Sequence, residues 1–416
     1  METEKFNQKQ REKEHDQAFI EKVSRRFWLL DGDRLRDRAM RRTGLKDFGN
    51  PPIDPALSNL VNSLETEADL HPLGRFLMWG HLLEILETRL RLAEAWRGKE
   101  RAMASSQIRR PIFITGMPRS GSTFLHELMG QDSSNRSPRV WEVMFPLAAA
   151  SAESGEHERH VRKAEMRLWW FRRFAPKADS VYPARANTPH ECLTIHSYTL
   201  MSEEFVSTCR VPSYEKFLRQ TGLHAAYAWQ KMFLQHLQSN RPAERWILKS
   251  PDHVYGLEEL FAVFPDAIVI QTHRDPLDVL RSQLQLIGVL QELFARPGDA
   301  QQLRVRETRA LAAAMERSIG FRDAHPELAD RFYDLNYSEL VADPLAAVRR
   351  IYKRFDIPLS EPAAERMKQF VSTRTRYHRP HNPTLRDLGL DPHEETTRFR
   401  NYCFRFGIAC QQPDAG

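Results

Sequence analysis

The sequence predicts an α/β fold, in which helices cover both faces of a central parallel sheet to form three layers. Short runs rich in β-branched and aromatic residues alternate with helical patterns between residues 111 and 355, and such alternation is typical of parallel sheets. Two of the predicted strands, PIFITG and AIVIQTH, read as buried strands, which is typical of a sheet covered on both faces. With 41% hydrophobic and 28% charged residues among 416, the chain can also bury a large core.

The N-terminal quarter has a different character. Residues 1–16 alternate basic and acidic side chains and carry almost no apolar ones, so we expect a solvated, disordered arm. Residues 17–108 follow a helical pattern and are predicted to form a helical N-terminal region. Its clearest stripe has large apolar side chains at three- and four-residue steps, namely Trp79, Leu82, Leu83, Leu86 and Leu90.

Residues 109–410 are predicted to form the α/β domain itself. Its strands are expected at 111–116, 245–250, 267–273 and 331–337, and its helices at 122–130, 253–264, 276–290 and 338–355. Residues 147–244 form a mainly helical, aromatic-rich insertion between the first two of these strands. Connections this long usually carry the specific contacts of a protein.

Charge and hydropathy exclude several classes of protein. The chain carries 61 basic and 55 acidic residues, a net charge of +6. This surplus is small and scattered, whereas a nucleic-acid binder gathers Lys and Arg on one face. We therefore expect no nucleic-acid partner and favour an anionic small ligand. No apolar run approaches the ~18 residues of a membrane-spanning helix, and the charged start is unlike a signal peptide, so we expect a cytoplasmic protein without a membrane span.

The cysteines predict no oxidative framework. The chain has four of them, Cys192, Cys209, Cys403 and Cys410. They show neither a C-x-x-C pair nor zinc-ligand spacing, so we expect reduced thiols.

The strongest chemical signal is the segment Gly116 to Thr123, GMPRSGST, where the first predicted strand gives way to a helix. Backbone N–H groups in such a turn converge on an anion, as in a P-loop. Ser122 stands where a triphosphatase loop has its lysine, which argues against a triphosphate ligand. Arg119 offers a fork of donors that suits a single terminal phosphate. The predicted phosphate-binding residues of this P-loop-like fold are Arg119, Ser120, Gly121, Ser122 and Thr123.

A second anion-binding feature is predicted at the next buried strand. Arg274 follows that strand directly, while Asp275 and Pro276 suit the start of a helix. Ser282 lies two turns into that helix. Because ligands of open α/β sheets bind at the carboxyl ends of the strands, we expect Arg274 and Ser282 to share a crevice with the loop.

These segments resemble the sulfotransferases that use 3'-phosphoadenosine 5'-phosphosulfate. GMPRSGSTFLHELM resembles the family's 5'-phosphosulfate loop, and the spacing from Arg274 to Ser282 resembles its 3'-phosphate motif. WILKSPDHVYGLEELFAVFPDAIVIQTHRDP and LNYSELVADP are similar to the branch that holds tyrosylprotein and bacterial-type sulfotransferases. The resemblance covers roughly residues 30 to 410, and its most specific motifs lie between 111 and 283. It implies that 3'-phosphoadenosine 5'-phosphosulfate is the donor. The sequence has no H-E-x-x-H motif and no acidic metal cluster, so we expect that no metal is required.

Sulfuryl transfer needs an anion cradle, a cation near the leaving group and a base for the acceptor. Lys249, at the end of a predicted strand beside the loop, is the candidate cation. Three residues compete for the role of base. Glu142 is preferred because the resemblance places it near the acidic base of the tyrosylprotein branch and because Trp141, Val143 and Phe145 would partly desolvate it. His253 lies near the histidine of the cytosolic branch, and Glu191, in the insertion, is a further alternative.

Two more regions are assigned to the nucleotide by resemblance. Tyr337, at the end of the last predicted strand, is expected to contact the nucleotide. The segment Arg376 to Leu390, with Tyr377, His378 and His381, resembles a family loop that folds over it.

The function classes that stay open differ in chemistry. A kinase or hydrolase of the P-loop fold is one alternative, and a non-catalytic nucleotide-binding module is another. The acceptor, a hydroxyl or amine on a carbohydrate, lipid, tyrosine or small metabolite, and the oligomeric state are not determined by the sequence. Trp169 and Trp170 are expected to form a buried aromatic pair.

Overall fold

The computed structural model describes residues 21, 23–150, 154–174, 184–239, 241–373 and 384–409. The predicted arm at 1–16 lies outside these residues.

A five-stranded parallel sheet forms the centre of the fold. Its strands are β1 (Ile112–Gly116), β2 (Asn135–Arg136), β3 (Arg245–Lys249), β4 (Ile268–His273) and β5 (Phe332–Asn336), in the order β2-β3-β1-β4-β5. Every neighbouring pair is parallel, so the prediction of a parallel α/β sheet is confirmed. The two-residue strand β2 at the edge was not predicted, because two residues carry no detectable period.

Helices make up most of the remaining structure. The α-helices are Gly32–Thr43, Asp54–Thr66, Pro72–Trp96, Glu100–Ser105, Ser122–Met129, Val140–Met144, Pro146–Ala149, Ser154–Phe174, Cys192–His196, Glu203–Thr208, Pro212–Thr221, His224–Gln238, Leu257–Val263, Pro276–Glu292, Ala300–Ala324, Tyr337–Ala342, Pro344–Arg354, Glu361–Thr373, Pro392–Arg398 and Arg400–Phe406. Short 3₁₀ helices span Ser197–Thr199, Pro251–Tyr255 and Pro326–Arg331. In the described ranges, no helix has both the length and the apolar character needed to cross a bilayer.

Two predicted helices are divided in the structure. The segment predicted as one helix at 338–355 is interrupted at Asp343, whose side chain accepts a hydrogen bond from Ala346 N and so caps a new helix that begins at Pro344. The segment predicted at 253–264 begins as a 3₁₀ turn, and its α-helix starts only after Gly256. In both places one helical segment ends and a new helix begins, at a capping aspartate followed by proline in the first case and at a glycine in the second.

Both faces of the sheet are covered, which is why the central strands β1, β3 and β4 are almost wholly buried. Ile112 and Ile114 of β1 belong to a core cluster with residues of the helices that follow β1 and β5. Phe113 points to the opposite face, where its ring meets those of Tyr227 and Phe264 at centroid distances of 6.4 and 5.2 Å. The side chains thus alternate between two cores.

The described chain groups into two compact units. One consists of the described residues within 1–97, 197–221 and 289–298, and the other holds the sheet and the remaining residues. In the first unit the buried Arg89 donates to the carbonyl oxygens of Phe48, Pro51 and Tyr198, and burial lowers its pKa to about 9. The predicted domain boundaries stay a prediction, because this grouping reports contacts and not independent folding.

Two expectations about side chains are wrong. Cys192 and Cys209 are free and buried, but Cys403 is disulfide-bonded and is not a reduced thiol. Trp169 and Trp170 meet edge to face at 4.8 Å, yet both are about half exposed and do not form a buried pair. Their helix turns them away from its packed face.

Candidate active site

Several of the predicted site residues lie at the carboxyl ends of four adjacent strands. The loop Met117 to Gly121 follows β1, Lys249 ends β3, Arg274 follows β4 and Tyr337 follows β5. Because β1 lies between β3 and β4, the loop has a cation-bearing strand on each side. The change of direction of the strand order at β1 is the place where open α/β sheets bind ligands.

Three left-handed residues shape the loop. Gly116 has a φ of +124°, and a Cβ there would lie 2.2 Å from the carbonyl oxygen of Thr272 on β4. Gly121 has a φ of +91°, and a Cβ there would lie 2.9 Å from Tyr337 Cδ2. Arg119 adopts a φ of +66°, which is uncommon for a residue with a side chain. Only glycine fits at the first two positions, so both glycines are required by the geometry.

Ser120 stabilises the loop from within. Its hydroxyl is fully buried, donates to the carbonyl oxygen of Met117 at 2.5 Å and contacts Thr272 Oγ1 at 2.6 Å. Thr272 Oγ1 in turn donates to the carbonyl oxygen of Thr115 at 3.0 Å. The contacts of Ser120 therefore hold β1, the loop and β4 together, while Ser122 begins the following helix and is also buried.

The two predicted anion-binding features are joined by direct hydrogen bonds. Arg119 Nε donates to Ser282 Oγ at 3.0 Å, and Arg274 Nη1 donates to the carbonyl oxygen of Arg119 at 3.0 Å. The guanidinium of Arg274 also lies 4.4 Å from the ring centroid of Tyr337, which contacts Gly121. The structure thus brings Arg119, Gly121, Arg274, Ser282 and Tyr337 into one cluster.

A second cluster lies on the β3 side of the loop. The buried Lys249 Nζ donates to Thr123 Oγ1 at 3.0 Å and forms an ion pair with the carboxylate of Glu191. The side chains are 2% exposed for Lys249 and 13% for Glu191, so water screens this pair little. Glu191 immediately precedes the helix Cys192–His196. An ammonium and a carboxylate therefore flank the N-terminus of the loop helix.

Glu142 is buried but engaged elsewhere. Its Oε1 accepts from Arg136 Nη2 at 3.1 Å, and its Oε2 accepts from the backbone N of Arg139 at 2.9 Å. Arg136 lies on the edge strand β2, opposite Trp246, and donates to the carbonyl oxygen of Leu237. Both oxygens of Glu142 thus have structural partners. Sequence reasoning missed Arg136, because only the pairing of a very short strand places it beside Glu142.

His253 lies in the core under Lys249. Its Nδ1 is 2.7 Å from the Tyr227 hydroxyl, and its ring meets Phe113 edge to face at 5.0 Å. Its Nε2 is buried without a hydrogen-bond partner. Burial, followed by the nearby His196 and Lys249, holds the pKa of His253 well below its ordinary value. This histidine is enclosed among rings and is not open to an acceptor.

The remaining predicted residues lie at the tail. Tyr377, His378 and His381 fall outside the described residues, as does most of the segment from Arg376 to Leu390. No cluster of three or more His, Cys, Asp or Glu side chains suited to a metal ion occurs in the part of the chain that the structure describes.

Buried histidines near the site predict a loss of stability in acid. Burial is the largest cause that lowers the pKa of His126 to about 3 and of His196 to about 4. The folded state therefore binds fewer protons than the unfolded state below pH 6.5, and stability falls as the pH falls. We expect each histidine to cost about 2 kcal/mol at pH 5. Urea unfolding at neutral pH and at pH 5 measures this, and equal free energies of unfolding would contradict it.

A parallel sheet whose central strand is followed by an arginine-bearing loop at a helix N-terminus, with a second arginine after the adjacent strand, defines an α/β fold of the P-loop-like class, in which such loops bind anions. The chain belongs to the Sulfotransferase family, whose family model matches residues 111–361. The predicted family, fold class and enzyme activity, sulfuryl transfer, are thereby confirmed, and the kinase and non-catalytic alternatives are not favoured.

Named relatives agree with this assignment. The omega-hydroxy-beta-dihydromenaquinone-9 sulfotransferase Stf3 of Mycobacterium tuberculosis (strain CDC 1551 / Oshkosh) is 26% identical over 282 residues, which are 64% of this chain and 68% of the relative. Stf3 of Mycobacterium bovis matches to the same extent. Among solved structures, STF1 from M. tuberculosis H37Rv is 27% identical with a TM-score of 0.77, covering 89% of this chain and 98% of that one. STF9 from Mycobacterium avium is 26% identical with a TM-score of 0.78, covering 92% and 98%.

Proposed function

We propose that this sulfotransferase takes its sulfuryl group from 3'-phosphoadenosine 5'-phosphosulfate and passes it in line to an acceptor hydroxyl or amine. The proposal rests on the hydrogen bonds that join the two predicted anion-binding features. Arg119 of the loop donates to Ser282, and Arg274 donates to the carbonyl oxygen of Arg119. A donor with phosphates at its 3' and 5' ends needs two such features at a fixed separation.

We assign the two ends of the donor to the two predicted anion-binding features. The loop amides and Arg119 bind the 5'-phosphosulfate, and Arg274 with Ser282 binds the 3'-phosphate. Tyr337 packs against both Arg274 and Gly121, which supports a role in orienting the nucleotide. Lys249, next to Thr123, stabilises the negative charge that grows on the leaving phosphate.

The contacts favour Glu191 as the general base. It is the carboxylate that touches Lys249, so it lies beside the cation that serves the leaving group. Glu142 accepts hydrogen bonds on both of its oxygens, from Arg136 and from the backbone of Arg139, whereas the contact of Glu191 with Lys249 is made by Oε1. His253 is enclosed in the core. We therefore propose Glu191 in place of Glu142, the residue that the sequence favoured.

The acceptor is proposed only as a hydroxyl- or amine-bearing molecule. The relative Stf3 is named for an omega-hydroxy menaquinone, which supports a hydroxyl. Carbohydrate, lipid, tyrosine and small-metabolite acceptors form the panel for a screen with labelled donor.

Ligand-dependent stability tests the donor. We expect 3'-phosphoadenosine 5'-phosphate to raise the unfolding temperature, because a ligand at 100 times its Kd adds about 2.7 kcal/mol. ATP with magnesium is the control and should stabilise much less, since it has no 3'-phosphate for Arg274. Stabilisation by ATP with magnesium but not by the bisphosphate would contradict the proposal.

A further inference from the structure

One face of the helix Ser154–Phe174 combines exposed aromatic and basic side chains. Counting Arg159 as position i, the residues at i, i+3, i+7, i+10, i+11 and i+14 lie along one side of a helix with 3.6 residues per turn. All six are exposed, and they are Arg159, Arg162, Met166, Trp169, Trp170 and Arg173. We call this set the Arg-Trp stripe.

The opposite face of the same helix is packed. Ala164 and Leu168 are buried, the ring of His157 lies 5.3 Å from that of Trp141, and the ring of His160 lies 5.0 Å from that of Phe145. The helix is therefore fixed to the α/β unit through one face. The Arg-Trp stripe lies on the other face, directed away from that packing.

The exposure of the stripe is unusual for a soluble surface. Met166, Trp169 and Trp170 are 57%, 52% and 50% exposed, and they lie within five residues of one another. A single exposed apolar side chain is ordinary, but adjacent large ones mark a contact surface. Tryptophan in particular has an apolar body and a polar N–H, and is enriched where hydrocarbon meets water.

The charge of the stripe is uniformly positive. It carries three arginines and no acidic residue, while the acidic residues of the helix, Glu156, Glu158 and Glu165, occupy other positions. Arg162 does lie 3.9 Å from Glu158, but both side chains are at least three-quarters exposed, so this ion pair contributes little. Arg162 also lines a cavity of about 380 Å³ together with Arg139, Arg241 and Glu158. Among the charged residues that line this cavity, the arginines outnumber the single glutamate, so its lining has a net positive charge.

We propose that the Arg-Trp stripe binds the surface of an anionic lipid membrane. Tryptophan and methionine would enter the headgroup region while the flanking arginines meet lipid phosphates, the combination by which amphipathic helices lie on bilayers. We favour an anionic membrane as the partner because the positive charge of three arginines beside two tryptophans complements a negatively charged interface. The proposal goes beyond the transfer reaction and does not rest on the identity of the donor or acceptor.

Vesicle flotation tests the proposal with the full-length protein. The probes are vesicles of phosphatidylcholine alone and vesicles with about 30% phosphatidylglycerol. We expect the wild-type protein to float with the anionic vesicles and to be released by salt. The double variant Trp169→Ala, Trp170→Ala should bind them at least about tenfold more weakly, as should Arg162→Gln, Arg173→Gln.

A matched control is available on another helix. Phe404 is 89% exposed, so Phe404→Ala also removes an exposed aromatic ring and should leave vesicle binding unchanged. Far-UV circular dichroism and the unfolding temperature show that each variant is folded, and stabilisation by 3'-phosphoadenosine 5'-phosphate reports on the donor site separately from membrane binding. The proposal is overturned by absence of wild-type binding, by equal binding to neutral vesicles, or by unchanged binding of the tryptophan variant. A change from dimer to monomer in that variant, with vesicle binding intact, would assign the stripe to a second copy of the chain and overturn it as well.

Discussion

Glu191→Gln is expected to lower the turnover number by about 10²- to 10⁴-fold, the range contributed by a positioned general base. The amide keeps the size of the side chain and still offers an oxygen to Lys249, so the loop and its contacts should persist. Donor affinity should therefore change little. Turnover with saturating donor, together with calorimetric binding of 3'-phosphoadenosine 5'-phosphate, separates the two effects.

Glu142→Gln is the matched control for that variant. It changes a second buried glutamate whose partners, Arg136 and the backbone of Arg139, belong to the edge of the sheet. We expect it to lower the free energy of unfolding by weakening the ion pair with Arg136, with a smaller loss of turnover. A collapse of turnover in Glu142→Gln, with near-normal turnover in Glu191→Gln, would return the role of base to Glu142.

Arg274→Ala is expected to weaken binding of 3'-phosphoadenosine 5'-phosphate by about 10- to 100-fold, since hydrogen bonds to charged groups contribute about 1.5 to 3 kcal/mol. The variant removes the proposed ligand of the 3'-phosphate and also the hydrogen bond to the carbonyl oxygen of Arg119. Calorimetry measures the affinity directly. The loss should be smaller for adenosine 5'-phosphate, which has no 3'-phosphate.

Arg281→Ala provides the control for charge. Arg281 lies on the same helix as Ser282 and forms an ion pair with Asp278, the residue that Arg274 also contacts. Among the described contacts it has none with the loop. An equal loss of affinity in Arg281→Ala would show that general positive charge, and not the position of Arg274, holds the nucleotide.

Much of the fold could be predicted because its signals are local. The strands β1, β3, β4 and β5 were located to within two residues, since each is a short run rich in aliphatic or aromatic residues next to a turn signal. The boundaries of helices were less certain. The cap at Asp343 and the turn at Gly256 each divide a continuous helical pattern, and the pattern of apolar residues does not register such breaks.

The candidate site was likewise predictable only where its residues are close together in the chain. Gly116, Arg119 and Gly121 could be placed in one strand-to-helix loop from the sequence, because strand, loop and helix are adjacent in the chain. The pairing of Glu191 with Lys249 joins residues 58 positions apart, and no sequence period encodes it. The preference for Glu142 rested on the family resemblance and on the apolar residues beside it in the chain, whereas its contact with Lys249 favours Glu191.

Local sequence was enough to predict the parallel sheet, the loop from Gly116 to Thr123 and the arginine after β4, because backbone propensities and apolar periods act over a few residues. Packing between distant segments sets which carboxylate meets Lys249, that Arg119 reaches Ser282, and that Trp169 and Trp170 face outward. These outcomes depend on the order of strands in the sheet and on how each helix packs, which are set by contacts between distant parts of the chain.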